Sequence, residues 1–460
     1  MVVTCCQTTD VAKVWWFTTE PRNFDPSIHP FQQCREYARA LNATKIEKMF
    51  AKPFLGSLDG HRDGVFCLAK HPKRLPVVFS GSYDGEIRVW NIAEKRCLAA
   101  VPAHDGFVRG LCVDPQNADR FLSVGDDKCI KEWSFERAST TDFEPVQNIA
   151  TKHMIYDITH NYRQAIFATS GEGVFVWDYS RTTPLRAFDW GVDSVQKIRF
   201  NPVETNILAA AAADRSIILY DSRGHVPLRK VVLKMKSNAI AWNPMEAFSF
   251  VVASEDYNLY TFDMRNLSSA VVVHIDHVAA VMDVDISPTG KEFVSGSYDK
   301  TLRIFPCDSS KCRHRNFKFS GWKFFHFPPY FREVYHTKRM QRIMSVLYSN
   351  DSKYILSGSD EMNIRLWKAV AWEKLGPTRR NEKEALAYNE KLKAKFAHHP
   401  EIKRIRQNRH VPKHIFNARK ELSEIRQSKA RKESNIRLHS KPGTVPEISI
   451  KKQSIVGEHE

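Results

Sequence analysis

The chain writes one eleven-residue phrase three times: SGSYDGEIRVW from Ser80 to Trp90, SGSYDKTLRIF from Ser295 to Phe305, and SGSDEMNIRLW from Ser357 to Trp367. Each copy opens on small residues, places an acid mid-way, and closes on alternating apolar residues that end in an aromatic. That pattern predicts a tight turn feeding a half-buried strand. Weaker copies fill the interval between the first and the sixth. Aligned on the closing aromatic they give Trp90, Trp133, Trp177, Tyr220, Phe262, Phe305 and Trp367, in steps of 43, 44, 43, 42, 43 and 62 residues. This period suits a four-stranded propeller blade, whereas helical repeats are shorter and lack β-branched, turn-punctuated runs. Seven blades are predicted. Ala51 to His61 matches the outer-strand segments that precede the other repeats, so it is predicted to complete the last blade and remove an open sheet edge.

The turn acid recurs as Asp84, Asp127, Asp214, Asp256 and Asp299, each six residues before its aromatic; it shifts to Asp360 in the last copy and is replaced by Gly171 in the third. A histidine stands 29 residues before the aromatic at His61 and His104, and one place off at His277. These features resemble the WD40 repeat from roughly Leu58 to Ala369. The resemblance implies that His, turn Asp, Ser and Trp form a hydrogen-bonded set tying turn to strand, so these acids and histidines are read as structural.

The composition narrows the function classes. No apolar run approaches the length of a membrane span, and the start, MVVTCCQTTDVAKVWW, lacks the basic region and uninterrupted apolar stretch of a secretory signal. The nine cysteines show no pairing rhythm, which fits reduced thiols in a cytosolic or nuclear protein. Cys307, Cys312 and His314 make half of a zinc site with no second half, so no metal or other cofactor is expected. There is no Gly-rich phosphate loop, HExxH pair or nucleophile elbow, and neither an enzymatic activity nor a small-molecule substrate is expected.

The charge is more informative. The net charge is +17, and from Lys374 to Glu460 there are 22 Lys or Arg against 10 Asp or Glu, so most of the excess lies in the tail. NEKEALAYNEKLKAKF reads as a helix with Ala385, Tyr388, Leu392 and Phe396 on one face and a capping box at Asn381 and Glu384. A second helix is predicted from Pro412, with Ile415, Leu422 and Ile425 as its stripe. The cations Lys403, Arg404, Arg406 and Arg409 form one cluster, and Arg426, Lys429, Arg431 and Lys432 a second. Two such clusters point to a polyanionic partner. Nucleic acid is favoured over a membrane because the apolar faces are short and not Trp-rich; neutralised phosphates would give affinity with little sequence reading. The same clusters suit nuclear import.

Longer stretches carry a closer resemblance. PRNFDPSIHPFQQCREYARALNATKIEKMFAKPF, NPMEAF, EDYNLYTFDMR, DHVAAVMDVDISPTGKEF, EVYHTKRMQ and SDEMNIRLWKA are similar to the SOF-domain WD-repeat family. The tail, from EKLG through KLKAKFAHHPEIKRI and RHVPKHI to HSKPGTVP, resembles its SOF domain. The resemblance implies a nuclear, nucleolar component of the small-subunit processome, associated with the U3 small nucleolar RNA and needed for 18S rRNA maturation, with pre-ribosomal RNA and processome proteins as partners. Residues 1 to about 20 depart from the family's basic N-terminal peptide. The step of 62 departs too: its surplus falls within Ser309 to Phe331, expected to be a loop near blades six and seven. The family also resembles receptors that use a W/Y/F-D-x-R box to hold the propeller adaptor of a cullin-4 ubiquitin ligase. YDSR, with Asp221 and Arg223, and FDMR, with Asp263 and Arg265, match that box, although WD40 strands often end this way.

The expected organisation is an N-terminal extension over residues 1–50, an all-β seven-bladed WD40 propeller over 51–369 with an insertion at 309–331, a basic, mainly α-helical domain over 370–446, and a disordered tail over 447–460.

Overall fold

The computed structural model describes residues 31–135, 144–189, 193–307, 333–441, 443–446 and 449–459. The expected loop at Ser309 to Phe331 and the atypical first 20 residues lie outside the described residues. The chain divides into two compact units. One combines Lys52–Ala371 with Arg409–Glu460; the other combines the segment up to Ala51 with Trp372–Asn408.

Among the described residues the first unit holds seven antiparallel sheets, six of four strands and one of five. In each blade the closing aromatic lies on the third strand and is buried in the core; Trp90, Trp133, Trp367, Tyr220 and Phe262 are almost fully buried. The predicted closure is present. Phe54–Asp59 pairs antiparallel with Asn363–Lys368 as the outer strand of the seventh blade, and Leu58 is buried there beside Leu366.

The recurring acid has a specific backbone task. The residue after it is left-handed, with φ of +82° at Gly85 and 61–72° at Lys128, Arg215, Tyr257 and Lys300; in the last copy the left-handed residue is Met362, which follows Glu361 rather than Asp360. Non-glycine residues seldom adopt this conformation. In five blades the acid accepts the N–H two residues ahead, at 3.0 Å for Asp84, 3.2 Å for Asp127, 3.0 Å for Asp214 and Asp256, and 2.9 Å for Asp299. This short-range bond spans the left-handed residue and fixes the turn.

The histidine sets are graded. In the second blade His104 bonds Asp127 at 2.9 Å and Ser123 at 2.7 Å, and the Trp133 indole donates to Ser123 at 2.9 Å. In the sixth, His277 bonds Asp299 at 2.9 Å and Ser295 at 2.7 Å. In the first, His61 meets Ser80 at 2.6 Å and Trp90 donates to the same hydroxyl at 2.8 Å, yet His61 Nδ1 has no hydrogen-bond partner among the described residues.

The C-terminal residues differ from the sequence reading. Residues 447–460, expected to be disordered, include a helical turn at Ile450–Gln453 and a strand at Ile455–His459 that adds to the fourth blade beside Pro227–Leu233. Ile455 packs on the core shared by the fourth and fifth blades, and Arg229 lies 3.8 Å from Glu458. A seven-residue edge strand offers unpaired backbone groups, and here the chain covers it with its own end.

The second unit contains helix α1, Gln32–Met49, helix α2, Arg380–Lys395, and helix α3, Pro400–Gln407. Ala40, Leu392 and Ile402 form its core, with Tyr37, Leu41 and Phe396 packed against them. Tyr37 donates to Glu401 at 2.7 Å, and Lys393 and Lys395 pair with Glu47 at 2.7 Å and Glu36 at 2.6 Å. The capping box predicted at Asn381 and Glu384 does not form. The helix starts at Arg380, two residues before the start that an Asn381 cap implies, and has no side-chain cap; Glu384 pairs with Arg380 at 3.0 Å instead. On α2, Leu392 is buried but Tyr388 is 40 % exposed, so the apolar face is shorter than the sequence suggested.

Candidate interaction sites

The two box motifs fall at equivalent points of adjacent blades, where the third strand ends and the chain turns towards the fourth. Asp221 accepts the Arg223 backbone N–H at 2.9 Å and its Nε–H at 3.4 Å. Asp263 accepts the Arg265 N–H at 3.0 Å, Nε–H at 3.1 Å and Nη2–H at 2.8 Å. These bonds hold the Asp263 carboxyl below its ordinary range, the Arg265 side chain being the largest cause. Each acid therefore orients its arginine while the Arg223 and Arg265 side chains remain 69 % and 63 % exposed. The Arg265 guanidinium lies over Phe248, 4.3 Å from the ring centroid, and its carbonyl accepts from Arg229 at 2.6 Å. A planar cation held over an aromatic ring suits recognition of carboxylates or carbonyls.

The tail cations divide between the two units. Lys403, Arg404 and Arg406 lie on α3 and are exposed; Arg404 points away from the buried Ile402, whereas Arg406, four residues on, shares its side. Arg409 is half-buried and pairs with Glu333 at 3.4 Å. Helix α4, Lys413–His439, carries the rest. The sequence treated 370–446 as one basic helical domain, but the chain changes unit between Asn408 and Arg409. Helix α4 joins the propeller unit through its first half: Ile415 is buried, and Arg419 pairs with Asp276 at 2.8 Å. Arg426 follows on the same side, within electrostatic reach of Asp256 and Asp276. Lys429, Arg431 and Lys432 are exposed. The predicted stripe ends early, since Leu422 is only partly buried and Ile425 is 51 % exposed.

Sequence reasoning missed the contact that docks α4. Arg303 is buried in the sixth blade, 3.5 Å from Asp299 and 4.0 Å from Asp276, and Asp276 also receives Arg419. No spacing rule pairs Arg419 with an acid 143 residues away. The tail strand carried a weak signal, the β-branched pair Ile455 and Val456.

Two further clusters of ionisable groups lie within the propeller unit. The first strands of the blades surround a cavity of about 340 Å³ lined by Phe66, Arg109, Asp157, Lys197 and Asp283, among others. Asp157 accepts from Arg199 at 2.6 Å and lies 3.5 Å from Lys197; burial raises the Asp283 carboxyl to about 6, where it accepts the Val346 N–H at 2.8 Å. His61, Asp84 and Glu86 bring ligand atoms within 4.8 Å of one another, but Arg88 occupies Glu86 at 3.0 Å. Burial and Arg88 lower the His61 imidazole to about 4. This group is the first blade's version of the histidine set.

The comparisons with known proteins agree with this organisation. Residues 52–91, 95–134, 269–305 and 333–368 match the WD domain, G-beta repeat, and residues 369–455 match the Sof1-like domain. The chain belongs to the Sof1-like WD-repeat family. Over 437 residues, 95 % of this chain, it is 52 % identical to the DDB1- and CUL4-associated factor 13 of Xenopus laevis, covering 94 % of that protein. The Homo sapiens protein of the same name is 53 % identical with the same coverage. Protein SOF1 of Saccharomyces cerevisiae is 44 % identical over 464 residues, which are 95 % of this chain and 90 % of that protein. The crystal structure of the WD40 beta propeller domain of Doa1 matches 69 % of the chain and 96 % of its own length with a TM-score of 0.56. At 18 % identity that match supports the propeller fold alone. In this chain the Sof1-like domain therefore spans both units, with α2 and α3 in one and α4 in the other.

Proposed function

We propose that this protein is a non-enzymatic assembly scaffold of the nucleolar small-subunit processome, required for 18S rRNA maturation. Its propeller binds processome proteins, and the basic helices of its Sof1-like domain bind pre-ribosomal RNA. The observation that carries the reading is the exposure of Lys403, Arg404, Lys429, Arg431 and Lys432 in the two basic clusters. Cations placed this way neutralise phosphates and release counterions. Replacing these five by Gln is expected to lower co-sedimentation with pre-ribosomal particles and weaken RNA binding about tenfold or more at physiological salt, with the propeller still folded. Unchanged RNA affinity across salt would overturn the reading.

A second reading is favoured by the oriented pair Arg223 and Arg265 and by relatives named DDB1- and CUL4-associated factor 13: a substrate receptor of a cullin-4 ubiquitin ligase. Arg223→Ala with Arg265→Ala is expected to abolish capture of the ligase's propeller adaptor while sparing sedimentation. Absence of capture by the parent protein would remove this reading. Joint loss of both associations with a lower Tm would make the arginines structural.

A further inference from the structure

Helix α4 has two different halves. Its first half is docked by Ile415 and Arg419, whereas from Ser428 to His439 every residue except Arg437 is exposed. At about 100° per residue, Lys429 and Arg431 point to opposite sides of the helix, and Lys432 stands about a quarter-turn from Arg431. The acid in this stretch, Glu433, lies 3.6 Å from Arg437. No Phe, Tyr or Trp follows Phe416 in the sequence.

These features discriminate between kinds of RNA. Single strands are held chiefly by several bases stacking on successive aromatic rings along a basic groove, and this half-helix has no Phe, Tyr or Trp, its one ring being His439 at the far end. A helix lying on one phosphate strand would use cations on one side. Cations on opposite sides are matched by phosphates on two walls, the arrangement inside a groove. The exposed half is about 18 Å long and about 10–12 Å across with side chains, too wide for the deep, narrow groove of regular A-form RNA. We infer that Ser428–His439 inserts into the deep groove of double-stranded RNA widened by a bulge or internal loop. This inference rests on the proposal that the tail binds RNA.

The test uses the full chain and three fluorescent RNAs of equal length: an uninterrupted hairpin, the same hairpin with an internal loop, and an unstructured single strand. Anisotropy titrations should rank the looped hairpin first and the single strand last, separated by about tenfold or more. Lys429→Gln and Arg431→Gln should each reduce the dependence of log affinity on log salt by about one, and the double variant by about two. An unchanged Tm in each variant is the folding control. Equal affinity for the single strand, or a slope change in only one of the two variants, would overturn groove insertion. Equal affinity for both hairpins would overturn the widened groove. No binding to any of the three would overturn the RNA proposal itself.

Discussion

The first and sixth blades begin their repeated phrase with the same five residues, SGSYD, at Ser80–Asp84 and Ser295–Asp299, yet the two acids lead different lives. Asp84 is exposed; it accepts the Glu86 N–H and does not reach His61. Asp299 is buried and accepts from His277 at 2.9 Å, from the Thr301 N–H at 2.9 Å and hydroxyl at 2.6 Å, and from Arg303 at 3.5 Å. The cause lies just beyond the shared letters. Glu86 captures Arg88 at 3.0 Å, whereas its counterpart Thr301 offers Arg303 only a hydroxyl at 3.4 Å, leaving the guanidinium to Asp299 and Asp276. The five letters set the turn, and the next residues set the polar network around it.

The largest effect that would sharpen this contrast is expected in the sixth blade. Asp299→Ala leaves Arg303 and His277 buried without their shared acid, and removing one partner of a buried charged set costs about 3–5 kcal/mol. Lys300, left-handed at φ 63°, also loses the bond that spans it. Urea unfolding of the full chain measures the loss; a change below about 1 kcal/mol would show that water replaces the acid. The pH dependence has a definite sign. His277 and the other partners depress the Asp299 carboxyl below its ordinary value, outweighing burial. Its contribution is therefore present above the unfolded value of about 3.9 and fades as pH falls towards the folded one. The gap between parent and variant should narrow in acid.

The same contrast shows where the sequence was legible. Blade number, closing aromatics and turn acids follow from local periods of two and about 43 residues, because most strands meet neighbours close in sequence; ring closure was legible because Ala51 to His61 matches the other outer-strand segments. Contacts over long separations left no period. Arg419 finds Asp276, and Ile455–His459 finds the edge of the fourth blade, by complementarity of charge and of unpaired backbone. The basic clusters were visible as composition, but their separation into two units was not, since Asn408 and Arg409 sit within one charged run. The box arginines were legible as a motif; that Asp221 and Asp263 orient them became visible only with the turn geometry.

The smallest effect is expected from the matching change in the first blade. Asp84→Ala removes one exposed acceptor from the Glu86 N–H, and solvent can replace it, so a loss of no more than about 1 kcal/mol is expected. The left-handed position is also safer here, because Gly85 adopts φ +82° without a side chain to strain. His61 keeps its bond to Ser80, and Ser80 keeps the Trp90 indole, so the aromatic remains anchored. Measured in the same urea series, Asp84→Ala should unfold close to the parent and well above Asp299→Ala. A loss as large as that of Asp299→Ala would mean that Asp84 does close onto His61 in solution, and that the two blades share one network after all.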